Sequence, residues 1–175
     1  MRLANKIIFL DRDGVINEKL EGDYVKTIDE FKMLSGVPEA LKMLKDGGYT
    51  LILITNQRGI ARGLMSEDDL AIVHDHMQSE LSKNGAAIDR IFFCPHDYNQ
   101  CDCRKPKLGM FRAAEKFFDV DKRASFMIGD SASDIEAGRN YGVRTISIGN
   151  RKANADHDCV DLFAAAKYIL GGDKS

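Results

Sequence analysis

The feature that most constrains this chain is a series of five short, nearly continuous apolar runs set between amphipathic stretches. The runs are Ile7-Ile8-Phe9-Leu10, Thr50-Leu51-Ile52-Leu53-Ile54, Ile88 to Cys94, Ser125 to Ile128 and Val143 to Ile148. Each is too short for a buried helix and lacks the alternation of a half-exposed strand, so each is predicted as a strand covered on both faces. Helices are predicted over Val37 to Lys45 (closed by Gly47-Gly48), Ser66 to Lys83, Met110 to Phe118, Ser133 to Tyr141 and Asp161 to Leu170. This alternation implies a parallel sheet with helices on both faces, a doubly wound, Rossmann-like α/β fold. No repeat, low-complexity tract or linker interrupts it, so a single domain over residues 1–175 is expected.

Sheets of this kind place their sites beyond the carboxyl ends of the strands. Four predicted strand ends carry polar residues: Asp11 and Asp13, then Thr55-Asn56-Gln57, then Cys94 and His96, then Gly129-Asp130. Asp11 and Asp13 are two residues apart on an extended segment, so their side chains point the same way. Like charges held that close call for a cation or a shared proton. Asp130 is placed to complete an oxygen-rich set suited to Mg²⁺. Acids that merely cap loops and helices are the competing reading; it explains one such acid more easily than three at strand ends.

Charge narrows the partners. With 25 basic against 27 acidic residues the net charge is −2, where a polynucleotide-binding surface would show a basic excess. No run approaches the ~18 apolar residues of a membrane span, and no secretion signal is visible, so a cytoplasmic protein is expected. The expected partner is a small phosphorylated metabolite, with no nucleic acid and no membrane, and the protein is expected to act as a monomer.

The cysteines cluster. Cys94-Pro95-His96 is followed shortly by Cys101-Asp102-Cys103, and three sulfurs with one imidazole match a closed structural zinc site. A disulfide between Cys101 and Cys103 is disfavoured in a reducing compartment. Cys159 stands apart and reads as a small hydrophobe or a surface thiol. The cysteine loop runs directly into Arg104-Lys105, so zinc would hold those two cations over the pocket.

Asp11-Arg12-Asp13-Gly14-Val15-Ile16-Asn17 resembles the first motif of the haloacid dehalogenase-like phosphatases. Thr55-Asn56-Gln57, Arg104-Lys105-Pro106, and Gly129-Asp130 with Asp134 agree with that family in order and spacing, from Ile7 to about Ile148. The resemblance implies that Asp11 is the nucleophile forming an aspartyl-phosphate, and that Asp13 is the general acid and base. It implies Mg²⁺ held by Asp11, the Asp13 backbone carbonyl and Asp130. Thr55, Asn56 and Lys105 would then bind the phosphoryl group, Arg104 the substrate, and Asp134 would support the metal from behind. For Asp134 a helix-dipole role in the first turn explains the residue about equally well.

Within the family, the zinc loop is similar to that of two subgroups, the heptose-bisphosphate and the histidinol-phosphate phosphatases. Gly59-Ile60-Ala61-Arg62-Gly63 and Lys105-Pro106-Lys107-Leu108-Gly109-Met110 resemble the heptose pattern, which implies removal of the 7-phosphate from a heptose 1,7-bisphosphate and no large cap domain. Leu108 stands where that pattern has proline, and Gly22-Asp23-Tyr24 lies in a longer loop than its counterpart. Arg62 is a candidate contact for a second phosphate, whereas Arg58 reads better as a solvated surface arginine. Histidinol phosphate is the alternative substrate. A phospho-accepting signalling domain is the non-enzymatic alternative; it would lack an acid at position 13.

Overall fold

The computed structural model describes residues 4–149 and 153–171. The elements run β1 (Ile7–Leu10), α1 (Val37–Asp46), β2 (Thr50–Asn56), α2 (Glu67–Ser82), β3 (Arg90–Cys94), α3 (Gly109–Glu115), β4 (Phe126–Gly129), α4 (Ala132–Tyr141), β5 (Arg144–Ile148), β6 (His157–Cys159) and α5 (Leu162–Gly171). The strands form one six-stranded sheet in the order β3-β2-β1-β4-β5-β6, and every neighbouring pair is parallel.

The period of two along each strand divides its side chains between two cores. Ile8, Leu10, Leu51, Leu53, Phe126 and Ile128 face α1, α2 and α5, meeting Leu41, Leu44, Val73, Met77 and Ala165. Ile7, Phe9, Ile52, Ile54 and Met127 face α3 and α4, where Phe111 and Tyr141 stack at 4.5 Å between ring centroids. Because both faces are covered, the central strands carry no polar alternation, which is why they are readable as continuous runs.

Local chemistry sets the element ends. Ser66 Oγ accepts the Asp69 N–H at 3.0 Å, and Asp69 Oδ2 accepts the Ser66 N–H at 2.8 Å, a reciprocal cap that starts α2. The third strand begins at Arg90 rather than Ile88. Ile88 exchanges its backbone groups with the Gln78 side chain, and Asp89 turns its carboxylate to the Leu51 N–H and Lys45. The third helix ends at Glu115, short of Phe118, where Phe117 N–H takes the tighter bond to Ala114 O. A sixth strand, β6, was not expected, and it buries Cys159 as a small hydrophobe.

The strand order reverses direction between β1 and β4. One half of the chain winds away through β2 and β3, the other through β5 and β6, which opens a crevice at the carboxyl ends of β1 and β4. No described helix is long and apolar enough to cross a membrane.

Candidate active site

Asp11 follows β1 directly, and its N–H donates to Ile128 O of β4 at 3.0 Å, so the sheet's own ladder fixes its backbone. Asp130 follows β4 at the same end of the sheet. A glycine at position 14 leaves the room that the Asp130 carboxylate occupies. Gly14 has φ +87°, and a Cβ there would lie 2.4 Å from Asp130 Oδ2. Likewise a Cβ on Gly129 would lie 2.4 Å from Asp134 Oδ2. One oxygen each of Asp11, Asp130 and Asp134 falls within 4.8 Å of the others. An all-oxygen, acidic donor set of this kind fits a hard divalent cation such as Mg²⁺. Burial, and then the neighbouring Asp134 charge, push the Asp11 carboxyl up to about 7, with Lys105 opposing them. A divalent cation there would favour the ionised form.

Lys105 is buried at the centre of this group. Its Nζ donates to Asp11 Oδ1 at 2.9 Å and to Ile54 O at 2.7 Å, and lies 2.8 Å from Asp134 Oδ1. Burial disfavours the ammonium, but Asp11 and Asp134 outweigh it and hold Lys105 above its ordinary range. Asn56 lines the cavity, and both ends of its amide are engaged by the Lys105 backbone. Its Oδ1 accepts the Lys105 N–H at 3.0 Å and its Nδ2 donates to Lys105 O at 3.1 Å, so Asn56 fixes the lysine's backbone. The first-turn role considered for Asp134 is the one visible in its contacts. Its Oδ2 caps α4, accepting from Ser131 N–H at 3.1 Å and Asp130 N–H at 3.2 Å, while Oδ1 faces Lys105.

Asp13 sits in a cage of donors. Arg12 Nη2 lies 3.0 and 3.2 Å from its two oxygens, Asn17 Nδ2 donates at 3.0 Å and Gln57 Nε2 at 3.0 Å. Burial works against the charge, yet the Arg12 guanidinium and these donors outweigh it and keep the carboxyl below its usual range. Arg12 is itself fully buried, and its Nη1 lies 3.2 Å from His74 Nε2 on α2. Burial, then the Arg12 charge, push His74 down to about 3, so its imidazole is neutral and its Nε2 accepts the Arg12 hydrogen bond.

Thr55 is buried at the end of β2, where its Oγ1 accepts from Gln57 Nε2 at 2.9 Å. A cavity of about 370 Å³ opens above these groups, lined by Asp11, Asp13, Lys19, Arg104, Lys105 and Tyr98 among others. Lys19 Nζ reaches Asp130 Oδ2 at 2.9 Å. Arg58, read from sequence as a solvated surface arginine, is partly exposed, pairs with Asp97 and packs on the Tyr98 ring.

Beside the cavity Cys94, His96, Cys101 and Cys103 bring one donor atom each to within 4.8 Å of one another. Cys94 Sγ lies 3.5 Å from Cys101 Sγ and 3.0 Å from Cys103 Sγ, and His96 Nδ1 lies 3.3 Å from Cys103 Sγ. The three cysteines are free thiols. Four convergent soft donors in this spacing suit tetrahedral zinc.

Arg12, Asn17 and Gln57, the donors that cage Asp13, all lie within the two sequence motifs at the ends of β1 and β2, but their convergence on one carboxylate depends on the fold. Nothing in the sequence marks His74, Lys19 or Tyr98, because each is brought to the site by a different packed segment.

A family model described as Polynucleotide kinase 3 phosphatase matches residues 6–170. The D-glycero-beta-D-manno-heptose-1,7-bisphosphate 7-phosphatase of Haemophilus ducreyi is 44% identical over 151 residues, covering 82% of this chain and 82% of that protein. The D-glycero-alpha-D-manno-heptose-1,7-bisphosphate 7-phosphatase of Campylobacter jejuni is 41% identical over 168 residues, covering 96% of this chain and 95% of that one. Among solved structures, the D,D-heptose 1,7-bisphosphate phosphatase of B. bronchiseptica, complexed with magnesium and phosphate, superposes with a TM-score of 0.88 at 35% identity, covering 95% of this chain and 98% of that one. The chain belongs to the haloacid dehalogenase-like phosphatases, in the family that holds the heptose-1,7-bisphosphate 7-phosphatases.

Proposed function

We propose that the protein is a Mg²⁺-dependent phosphomonoesterase that removes the 7-phosphate of D-glycero-D-manno-heptose 1,7-bisphosphate. The observation that carries this reading is the buried Asp11–Lys105–Asp134 group at the sheet's switch point, with Asp13 two residues beyond Asp11. The names of the relatives support the sugar bisphosphate. The net charge of −2 lacks the basic excess on which polynucleotide binding usually draws.

The chemistry divides one displacement into two. A carboxylate oxygen of Asp11 attacks phosphorus and the bond from phosphorus to the sugar oxygen breaks. Asp13, ionised in its cage of donors before substrate binds, takes up a proton as the phosphate's negative charge enters beside it and gives that proton to the leaving oxygen. Water then attacks the aspartyl-phosphate while the Asp13 carboxylate takes a proton from it, and the bond from phosphorus to Asp11 breaks to release inorganic phosphate. Lys105 holds Asp11 in place and offsets charge on the phosphoryl oxygens. Thr55 adds a hydroxyl at the same strand end, and Asn56 keeps the Lys105 backbone aligned. Arg104 meets the sugar or its second phosphate. Asp11 and Asp130, with the Asp13 carbonyl that the family resemblance assigns, would hold Mg²⁺, which when bound would neutralise charge for attack on a dianion. The cysteine–histidine cluster binds zinc and stiffens the segment that delivers Arg104 and Lys105, and the site of action is the cytoplasm.

Parallel assays on the two heptose bisphosphate anomers, histidinol phosphate and p-nitrophenyl phosphate test this reading. A heptose bisphosphate is expected to give the highest kcat/KM. Histidinol phosphate as the better substrate would overturn the choice of sugar and leave the phosphoryl chemistry standing.

A further inference from the structure

Tyr98 lies in the short loop between His96 and Cys101, and two guanidiniums share its ring. The Arg58 guanidinium carbon is 4.3 Å from the ring centroid and that of Arg104 is 4.4 Å. Arg58 is forked onto Asp97, whose N–H donates to Gln100 Oε1 at 3.0 Å, so the first guanidinium is tied to the same loop. Arg104 differs. Its Nη1 is buried and has no hydrogen-bond acceptor among the described residues. Tyr98 and Arg104 line both the active cavity and an adjoining hollow of about 410 Å³.

The choice of partner matters physically. A carboxylate would neutralise Arg104 and compete with an incoming phosphate. An aromatic ring holds the guanidinium by its face and leaves the planar edge of N–H donors available. We propose that Tyr98 is a positioning residue that holds Arg104 for the substrate's non-reacting phosphate, and so sets the preference for a bisphosphate over a monophosphate. The inference rests on the bisphosphate reading above. Binding energy from that remote group orients the reacting phosphate, so a freely rotating Arg104 forfeits part of kcat/KM for the bisphosphate alone.

The test is the ratio of kcat/KM for heptose 1,7-bisphosphate to that for p-nitrophenyl phosphate. It is measured for the parent, Tyr98→Leu, Tyr98→Phe, Arg104→Ala and the Tyr98→Leu/Arg104→Ala pair, with zinc content determined for each. Tyr98→Leu is expected to lower the ratio by about tenfold, mainly through KM for the bisphosphate. Tyr98→Phe keeps the ring face and should restore the parent ratio, and the double variant should match Arg104→Ala. General damage to the loop moves both substrates together and leaves the ratio where it was. A parent ratio retained by Tyr98→Leu, or lost equally in Tyr98→Phe, overturns the role of Tyr98 while leaving the substrate assignment intact. A parent that itself shows no preference for the bisphosphate overturns the substrate reading, and the role of Tyr98 with it.

Discussion

Lys105 Nζ touches Asp11 Oδ1 at 2.9 Å, with 1% of the lysine side chain and 13% of the aspartate side chain exposed. On its other side the same ammonium faces Asp134 Oδ1 at 2.8 Å, and it also donates to Ile54 O. A single buried cation therefore separates two buried carboxylates, one of which is the proposed nucleophile. Asp134 acts on both partners: its charge raises the Asp11 carboxyl and helps hold Lys105 as an ammonium.

Removing the cation should cost both stability and activity. Lys105→Met leaves Asp11 and Asp134 facing each other without compensation, and breaking a buried pair in this way typically costs about 3–5 kcal/mol. The Asp11 carboxyl, already raised to about 7, should rise further and take up a proton. Protonation relieves the repulsion, so the stability deficit should be smaller at acidic pH than at neutral pH. Urea denaturation of parent and variant at both pH values checks this. A deficit that is absent at neutral pH, or that grows on acidification, contradicts the charge balance described.

Asp13→Asn should separate metal binding from proton transfer. The family resemblance assigns the Asp13 backbone carbonyl to the metal, and the substitution leaves it in place. Calorimetry should therefore still detect Mg²⁺ binding. General acid–base help is worth about 10²–10⁴-fold, so turnover of an alkyl phosphate should fall within that range. An aryl phosphate, whose leaving group needs less protonation, should lose less. Equal losses on the two leaving groups would remove Asp13 from the proton transfer.

The sheet and its central residues were legible because their causes are local. Ile7 to Leu10 and Leu51 to Ile54 are covered on both faces, so burial writes itself as a continuous apolar run. Beyond those strand ends the acids and the cysteine–histidine pairs have few other uses. What was not legible depends on packing between distant segments. Arg12 next to Asp13 looks like a surface arginine, but β1 leads straight into a buried turn and α2 brings His74 against it. β6 is only His-Asp-Cys, with no apolar run to announce it, and it forms because Ile146 to Ile148 of β5 offer a free edge. Tyr98 in an exposed loop carries no sequence mark of the two arginines that reach it.

Zinc should be needed to deliver Arg104 and Lys105. Both follow Cys103 directly, and the Arg104 N–H already points at Cys101 Sγ at 3.4 Å. The purified protein is expected to hold one zinc per chain, and Cys103→Ser should weaken that binding. Loss of zinc should lower Tm and raise KM, with the Asp11 chemistry intact once substrate is bound. Metal analysis finding no zinc after growth with zinc supplied, together with freely reactive Cys94, Cys101 and Cys103, would remove the metal from the loop.

The buried His74 should give the fold a measurable acid sensitivity. Its folded pKa is about 3 against an ordinary 6.5, because burial and then the Arg12 charge disfavour the imidazolium. The unfolded chain therefore binds a proton on His74 well before the folded one does. By linkage the stability tied to this group is fully present above about 6.5 and drains away as pH falls towards 3. Between pH 7 and pH 5 the loss from this residue alone should be about 2 kcal/mol. His74→Gln keeps an acceptor for Arg12 Nη1 but has nothing to titrate. The variant is expected to be less stable than the parent at neutral pH, and to lose less on acidification. Comparing the two pH–stability curves isolates His74 from the site's carboxylates, which both proteins share. Parallel curves would mean that His74 does not stay neutral inside the fold, and that its contact with Arg12 is made differently.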